Sequence, residues 1–383
     1  MQNVDQVAYA QLRVSIQPMA LRQYVGVAPR VAPRLSSPSP RTFDPNSRLI
    51  VDHLTPDYRI IQNCGYEYGL TDAYLGYATR GCPNKCAFCA VNRIEPEFVH
   101  YLPLKRQVKA IEDIYGAKRH LVLLDNNVLA SERFEEIIGD ILDLGFEKGA
   151  RLDGRMRRVD FNQGIDARRL TREKMHLLAK TAIKPLRLAF DDIRMKDLFV
   201  KKVKLARDCG ILNLSTYVLF NYADRPQEFY ERLRLGVTLN RELGTKISSF
   251  PMKFIPLDAK DRHYVGPHWN RQLIRGVQCI LLATHGMVSP RLEFFEAAFG
   301  RDSKEFIRIA LMPEEYIIYR RHHEANGAYE WGQLYDQLTP AQHADFVSVV
   351  SRKRVDTAYV TSASGTRLKR LLEHYLVSSG EHS

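Results

Sequence analysis

Ala73-Tyr74-Leu75-Gly76-Tyr77-Ala78-Thr79, continuing into Arg80-Gly81-Cys82-Pro83-Asn84-Lys85-Cys86-Ala87-Phe88-Cys89, is the stretch from which the rest of this chain is read. Ala73–Thr79 is strand-like and runs straight into a loop of three cysteines. The spacing is Cys-x3-Cys-x2-Cys, and no fourth cysteine follows within a hundred residues. Three thiolates on one loop can hold three irons of a [4Fe–4S] cube and leave the fourth iron open to a small molecule. Zinc is a second reading, but a structural zinc takes four ligands, and His100 is the nearby residue that could supply the last. A disulfide plus a spare thiol is a third.

The chain around this loop is that of an ordinary globular protein. It has 383 residues, 45% of them hydrophobic, and a formal net charge of +12. That length suits one large α/β domain with additions, or two domains. No apolar run approaches the length a bilayer needs. The first residues lack the continuous apolar core of a secretory signal. The expectation is a cytoplasmic protein with no membrane partner. Cys64, Cys209 and Cys279 lie far apart and read as small buried hydrophobes.

Charge is spread unevenly. Residues 1–48 carry Arg13, Arg22, Arg30, Arg34, Arg41 and Arg48 against Asp5 and Asp44, among many prolines and serines. Prolines at that density prevent a helix and small polar residues build no core, so 1–48 is expected to be disordered or loosely attached. Further basic runs occur at Arg151–Arg158 and at Lys201-Lys202-Val203-Lys204. Such a balance favours acidic partners, nucleic acid or an acidic electron donor among them, although any single run also reads as a solvated helix face.

From 49 to 257 strands and helices alternate. Strands are predicted at Ala73–Thr79, Arg119–Asp125, Arg158–Gln163, Pro185–Asp191, Asn213–Phe220 and Lys246–Phe254. Helices are predicted at Leu104–Tyr115, after a Ser131 cap, and at Thr171–Thr181, Met195–Cys209 and Pro226–Leu243. Alternation of this kind implies parallel strands joined by right-handed crossovers. Six such units suit a partial (β/α)6 version of the eight-unit barrel; a flat doubly wound sheet is the alternative. Residues 258–383 read as a helical C-terminal region, with helices at Trp269–Thr284, Arg291–Phe299, Lys304–Ile309, Glu314–Arg321, Pro340–Val350 and Arg367–Tyr375.

In parallel α/β architectures the site lies at the strand C-termini. The strand ends deliver the three cysteines, then Asp125-Asn126-Asn127, then Asn162, Gln163 and Asp166, then Asp191 and Asp192, then Asn221, Tyr222 and Asp224. Each set alone could be helix capping. Five sets on one rim suit a polar ligand.

The cysteine spacing, with an aromatic residue before the last cysteine, resembles the signature of radical S-adenosylmethionine (radical SAM) enzymes. The resemblance implies a TIM-like partial barrel, a [4Fe–4S] cluster on Cys82, Cys86 and Cys89, and S-adenosylmethionine as the ligand of the open iron. It further implies reductive cleavage to a 5′-deoxyadenosyl radical for hydrogen abstraction, with a reductant such as flavodoxin or ferredoxin as partner. By position it assigns Asp125, Asn126 and Asn127 to the methionine amino group. It assigns Asn162, Gln163 and Asp191 to the carboxylate and ribose, and Tyr217 and Asn221 to the neighbourhood of the adenine, with Phe220 or Tyr217 as the stacking candidates. The pattern departs from the common Gly-Gly-Glu after the second strand. It looks more like the branch that often follows a cobalamin-binding domain, and Leu54-Thr55-Pro56-Asp57-Tyr58 resembles the link between the two. About fifty residues precede that link, too few for a doubly wound cobalamin domain. The cysteine count leaves room for one cluster only. His322-His323 and His343 stand in helical positions, as ligands, as acid–base groups or as solvated side chains.

Overall fold

The computed structural model describes residues 54–62, 69–324, 327–352 and 355–376. The expectations for 1–48 and for Cys64 lie outside the described residues.

Six strands occupy the predicted places, β5 with its predicted bounds and the others shortened: β1 Ala73–Gly76, β2 His120–Leu123, β3 Arg158–Phe161, β4 Leu186–Ala189, β5 Asn213–Phe220 and β6 Lys246–Lys253. The helices between them are α1 Leu104–Tyr115, α2 Phe134–Asp143, α3 Arg172–Lys180, α4 Lys196–Asp208 and α5 Pro226–Leu243. β1 pairs in parallel with β2 (Leu75 opposite Val122), and β2 with β3 (Val122 opposite Asp160). Parallel bridges at Val159–Ile183 and Ile165–Leu188 lead on to β4. β4 pairs in parallel with β5 (Leu188 opposite Thr216). β6 lies beside β5, with the Lys246 N–H bonded to the Leu212 carbonyl and the Phe254 N–H to the Phe220 carbonyl. The strands thus neighbour one another in chain order. The fold is mixed α/β with parallel sheets.

β1 has its second edge closed by a side chain. The buried Tyr58 hydroxyl donates to the Ala73 carbonyl at 2.7 Å and accepts from the Leu75 N–H at 3.0 Å. One phenol thereby satisfies two edge groups that would otherwise be open to pairing.

The described residues divide into two compact units, one drawn from 54–190, 194–217 and 242–247, the other from 191–193, 218–241 and 248–376. In the first, helices turn apolar stripes inward: Val108 and Ile111 from α1, Ile137, Ile138 and Ile141 from α2, Phe199 and Val203 from α4 are all buried. Its sheet contributes Leu121, Leu123, Val159, Phe161 and Leu188. Between strands β3 and β4 the Arg187 guanidinium meets the Asp160 carboxylate in a two-pronged pair at 2.5 and 2.6 Å, and Arg187 also reaches Ser215 Oγ at 3.3 Å.

The second unit packs an aromatic core in which Phe229 stands 5.9 Å from both Trp269 and Phe306, ring to ring. Its helices are α6 Arg271–Ala283, α7 Leu292–Phe299, α8 Ser303–Leu311, α9 Glu314–Ile318, α10 Arg320–His323, α11 Gly327–Asp336, α12 Pro340–Val350, α13 Thr357–Ser362 and α14 Thr366–Glu373. α6 crosses α8 at Gly276, where an added Cβ would stand 2.0 Å from the Ala310 carbonyl oxygen, so only glycine permits this approach. The stretch predicted as one helix at Glu314–Arg321 breaks at Tyr319, and α11 and α13 lie where no helix was expected. A two-residue hairpin, Arg151–Leu152 with Arg155–Met156, occupies the start of the expected basic run. No described helix is long and apolar enough to cross a membrane.

Candidate functional site

The cysteine loop leaves β1 and is fastened at both ends. At its entry Arg80 pairs with Val99 through two backbone hydrogen bonds, Arg80 N–H to Val99 C=O at 3.2 Å and Val99 N–H to Arg80 C=O at 2.9 Å. The Arg80 guanidinium bonds Glu95 at 2.8 Å and lies over the Tyr77 ring. Glu95, itself buried, accepts the Gly81 N–H at 2.8 Å and the Asn126 amide at 2.9 Å. Gly81 has φ +72°, and a Cβ there would stand 2.1 Å from the Glu97 carbonyl oxygen, so the loop can open only with glycine. Within the loop the Cys89 N–H closes a turn onto the Cys86 carbonyl at 3.0 Å, followed by the single helical turn Val91–Ile94.

Asp125 is placed differently from the expectation drawn for it. Its carboxylate turns back to β1, accepting the Ala78 N–H at 3.0 Å, the Thr79 hydroxyl at 2.7 Å and the Thr79 N–H. Burial pushes this carboxyl up to about 6, against the hydrogen bonds that favour its charged form. Asp125 therefore shapes the approach to the loop, with its carboxylate turned to β1.

Asn127 is the residue after β2 that reaches the cysteines. It is 2% exposed. Its amide nitrogen donates to Cys82 Sγ at 3.4 Å and to Asp166 Oδ2 at 3.4 Å. Its amide oxygen is buried with no hydrogen-bond partner among the described residues. A buried acceptor left in this state costs free energy until a donor reaches it, about 1–3 kcal/mol.

Asp166, beyond β3, gathers the network. It accepts Asn84 from inside the cysteine loop at 2.8 Å and takes Arg168 in a two-pronged pair at 2.8 and 3.0 Å. Burial alone would raise its carboxyl, but Arg168 and Asn84 hold it below the ordinary aspartate value. Arg168 is held more firmly protonated, chiefly by its hydrogen bonds to Asp166. Cys82, Cys86 and Cys89 are not disulfide-bonded and are half-buried. Among the described residues no three His, Cys, Asp or Glu side chains converge as a single metal ion requires. His100 Nδ1, considered as a fourth zinc ligand, accepts the Glu132 N–H at 3.2 Å.

The remaining expected residues separate. Asn162 is buried, and its carbonyl accepts the Tyr217 hydroxyl at 2.8 Å. The Tyr217 ring is buried against Gly164, whose added Cβ would stand 3.2 Å from that ring. Tyr217 is thus packing, with its hydroxyl committed, and not an open stacking surface. Gln163 is exposed. Asp191 and Asn221 belong to the second unit. There Asp191 Oδ1 accepts the Leu219 N–H at 3.0 Å, and the fully buried Arg232 side chain bonds the Asp191 carbonyl at 2.9 Å and Asp224 at 2.6 Å. Burial raises Asp224 despite that arginine. Asn221, at φ +67°, donates to the Phe254 and Tyr264 carbonyls and accepts the Gly266 N–H at 2.7 Å. It works as a loop latch. Ser131, expected as a helix cap, accepts the Arg133 N–H at 3.0 Å, but Arg133 holds the cap position of α2 with no side-chain cap. His343 bonds Tyr335 at 2.8 Å, and His323 packs its ring against Tyr316. Cys279 is buried, which pushes its thiol up to about 11, and Cys209 is half-buried.

Glu95, Asn84 and Arg168 were not singled out from the sequence. The one signal for Asn84 is its place between Cys82 and Cys86; nothing local marks the other two.

The chain superposes on the crystal structure of HydG, a maturase of the [FeFe]-hydrogenase, with a TM-score of 0.39 and 13% sequence identity, over 79% of this chain and 80% of that one. No protein-family model and no curated protein matches the chain.

Proposed function

We propose that this chain is a radical SAM enzyme: a partial (β/α)6 barrel that holds one [4Fe–4S] cluster on Cys82, Cys86 and Cys89 and binds S-adenosylmethionine beside it. The observation that carries the reading is Asn127. Its amide bridges a cysteine sulfur on one side and offers an orphaned, buried acceptor on the other. The donor it lacks is what an ammonium group would supply, and the amino group of S-adenosylmethionine is such a donor. The donor chemistry also fits the cube, since three thiols outside any disulfide share one loop. A barrel is supported by strands that neighbour one another in chain order, because a doubly wound sheet reverses that order at its switch point.

When bound, the pair supplies reductive cleavage of S-adenosylmethionine to methionine and a 5′-deoxyadenosyl radical, for hydrogen abstraction from a substrate. The residues of the chain bind and orient. Arg80 and Glu95 secure the loop entry, Asp125 holds the end of β1, and Asp166 ties the loop interior to the end of β3. A flavodoxin or ferredoxin would supply the electron. Nothing preceding the described residues is assigned a cobalamin role.

Anaerobic reconstitution with iron and sulfide tests the reading. Visible charge-transfer absorbance and an EPR signal that changes on adding S-adenosylmethionine are expected. Tight, colourless zinc binding instead would make the loop a non-catalytic metal module.

A second reading concerns the substrate. Lys201, Lys204 and Arg207 are exposed along α4, and Arg169 and Arg172 are exposed at the start of α3. This favours an acidic substrate, nucleic acid foremost. RNA binding that weakens steeply with salt is the expected result, and retention unchanged between low and high salt would contradict it.

A further inference from the structure

We propose that Asn127 and Arg168, both held by the Asp166 carboxylate, are positioning residues that raise the reduction potential of the cluster, Asn127 by donating an N–H group to the Cys82 sulfur and Arg168 by holding its guanidinium, through Asp166, against the cysteine loop. The inference rests on the function proposed above and adds to it a role for residues beyond the ligands. Each donor is fixed from behind. Asn127 shares its amide nitrogen between Cys82 Sγ and Asp166 Oδ2, both at 3.4 Å. Arg168 is gripped through Nε and Nη2 by Asp166, and its backbone N–H bonds the same carboxylate at 3.0 Å. Asn84 brings the intervening loop to the same carboxylate at 2.8 Å, so donors and sulfurs share one anchor.

The physical consequence follows from charge. Reduction adds an electron to a cluster already made negative by its thiolates. N–H groups aimed at the sulfurs stabilise that added charge, and a guanidinium stabilises it further. Asp166 is the compensating group. It orients the donors while its own negative charge is neutralised by Arg168.

The test is an EPR-monitored redox titration of the full chain, reconstituted anaerobically, as wild type, Asn127→Val, Arg168→Gln and the double variant. Each single variant is expected to titrate at a more negative potential than wild type, and the double variant lower still. Arg168→Lys keeps the charge but not the forked grip, and is expected between wild type and Arg168→Gln. ENDOR spectra of the reduced wild-type cluster provide a readout that needs no variant to fold. Exchangeable protons coupled to the cluster are expected, and they should weaken in each variant that loads. Potentials that match wild type, or a wild-type cluster with no exchangeable coupled protons, overturn this inference alone. A wild-type chain that loads no iron overturns it together with the function on which it rests.

Discussion

The Asn84 amide donates to Asp166 Oδ2 at 2.8 Å, joining residues 82 positions apart and fastening the middle of the cysteine loop to the chain beyond β3. Asp166→Ala leaves Asn84 and Arg168 without their common acceptor. The variant is expected to lose about 1–3 kcal/mol of stability, the usual cost of stranding part-buried donors. Chemical denaturation checks this, and amide hydrogen exchange across 82–89 should quicken. An unchanged midpoint with unchanged exchange would contradict the anchoring role.

Asp125 makes a sharper case. Its two oxygens face only donors, the N–H groups of Ala78 and Thr79 and the Thr79 hydroxyl. Asp125→Asn keeps the shape but turns one acceptor into a donor aimed at a backbone N–H. Destabilisation of about 1–3 kcal/mol is expected in thermal or urea unfolding, with the cysteine ligands untouched. Stability equal to wild type would remove the clamp from the account.

The Arg187–Asp160 pair is 5% and 8% exposed at its side chains. Removing one partner of such a pair strands a buried charge and costs about 3–5 kcal/mol. Asp160→Leu alone is expected to show that loss. Asp160→Leu combined with Arg187→Met should recover most of it, because an apolar pair of similar volume needs no counter-charge. A double variant as unstable as the single one would show that Ser215 and Tyr217 depend on the arginine itself.

His120, at the start of β2, gives a pH dependence. Burial first, then the neighbouring Arg119 and Arg158, lower its pKa from 6.5 to about 4. Its Nδ1 is buried without a partner among the described residues. The unfolded chain therefore binds the proton more readily between about 6.5 and about 4, and stability falls as pH drops through that window. Above pH 6.5 the contribution is complete. His120→Gln is expected to flatten this part of the stability–pH curve relative to wild type. Parallel curves for the two proteins would contradict the shift.

Much of the strand and helix order was legible because the signal is local and periodic. Phe134, Ile137, Ile138 and Ile141 recur at helical spacing and are buried in α2 as that spacing requires. The cysteine loop was legible from its spacing. What escaped depends on distant partners or on very short elements. α11 contains two glycines, and the second, Gly332, sits where an added Cβ would stand 2.2 Å from Arg308; its reason is a neighbour, not a propensity. The Arg151–Met156 hairpin turns on Asp153 and Gly154, both at positive φ, an Asp-Gly turn signal masked by the basic residues around it. Among site residues, position after a strand pointed equally to Asp125, Asn126 and Asn127. Only the fold separates them, sending Asp125 back to β1, Asn126 to Glu95 and Asn127 to Cys82. Of the other residues read by position, Tyr217 gives its hydroxyl to the Asn162 carbonyl and Asn221 its amide to the Phe254 and Tyr264 carbonyls.

The central claim is that three thiols, and no others in this chain, hold a cluster that cleaves S-adenosylmethionine. The direct measurement is 5′-deoxyadenosine released by the reduced, reconstituted protein, compared across wild type, Cys86→Ala and Cys209→Ala. The account expects product from wild type and from Cys209→Ala, and none from Cys86→Ala. Comparable product from Cys86→Ala, or none from an iron-loaded wild type, would contradict it.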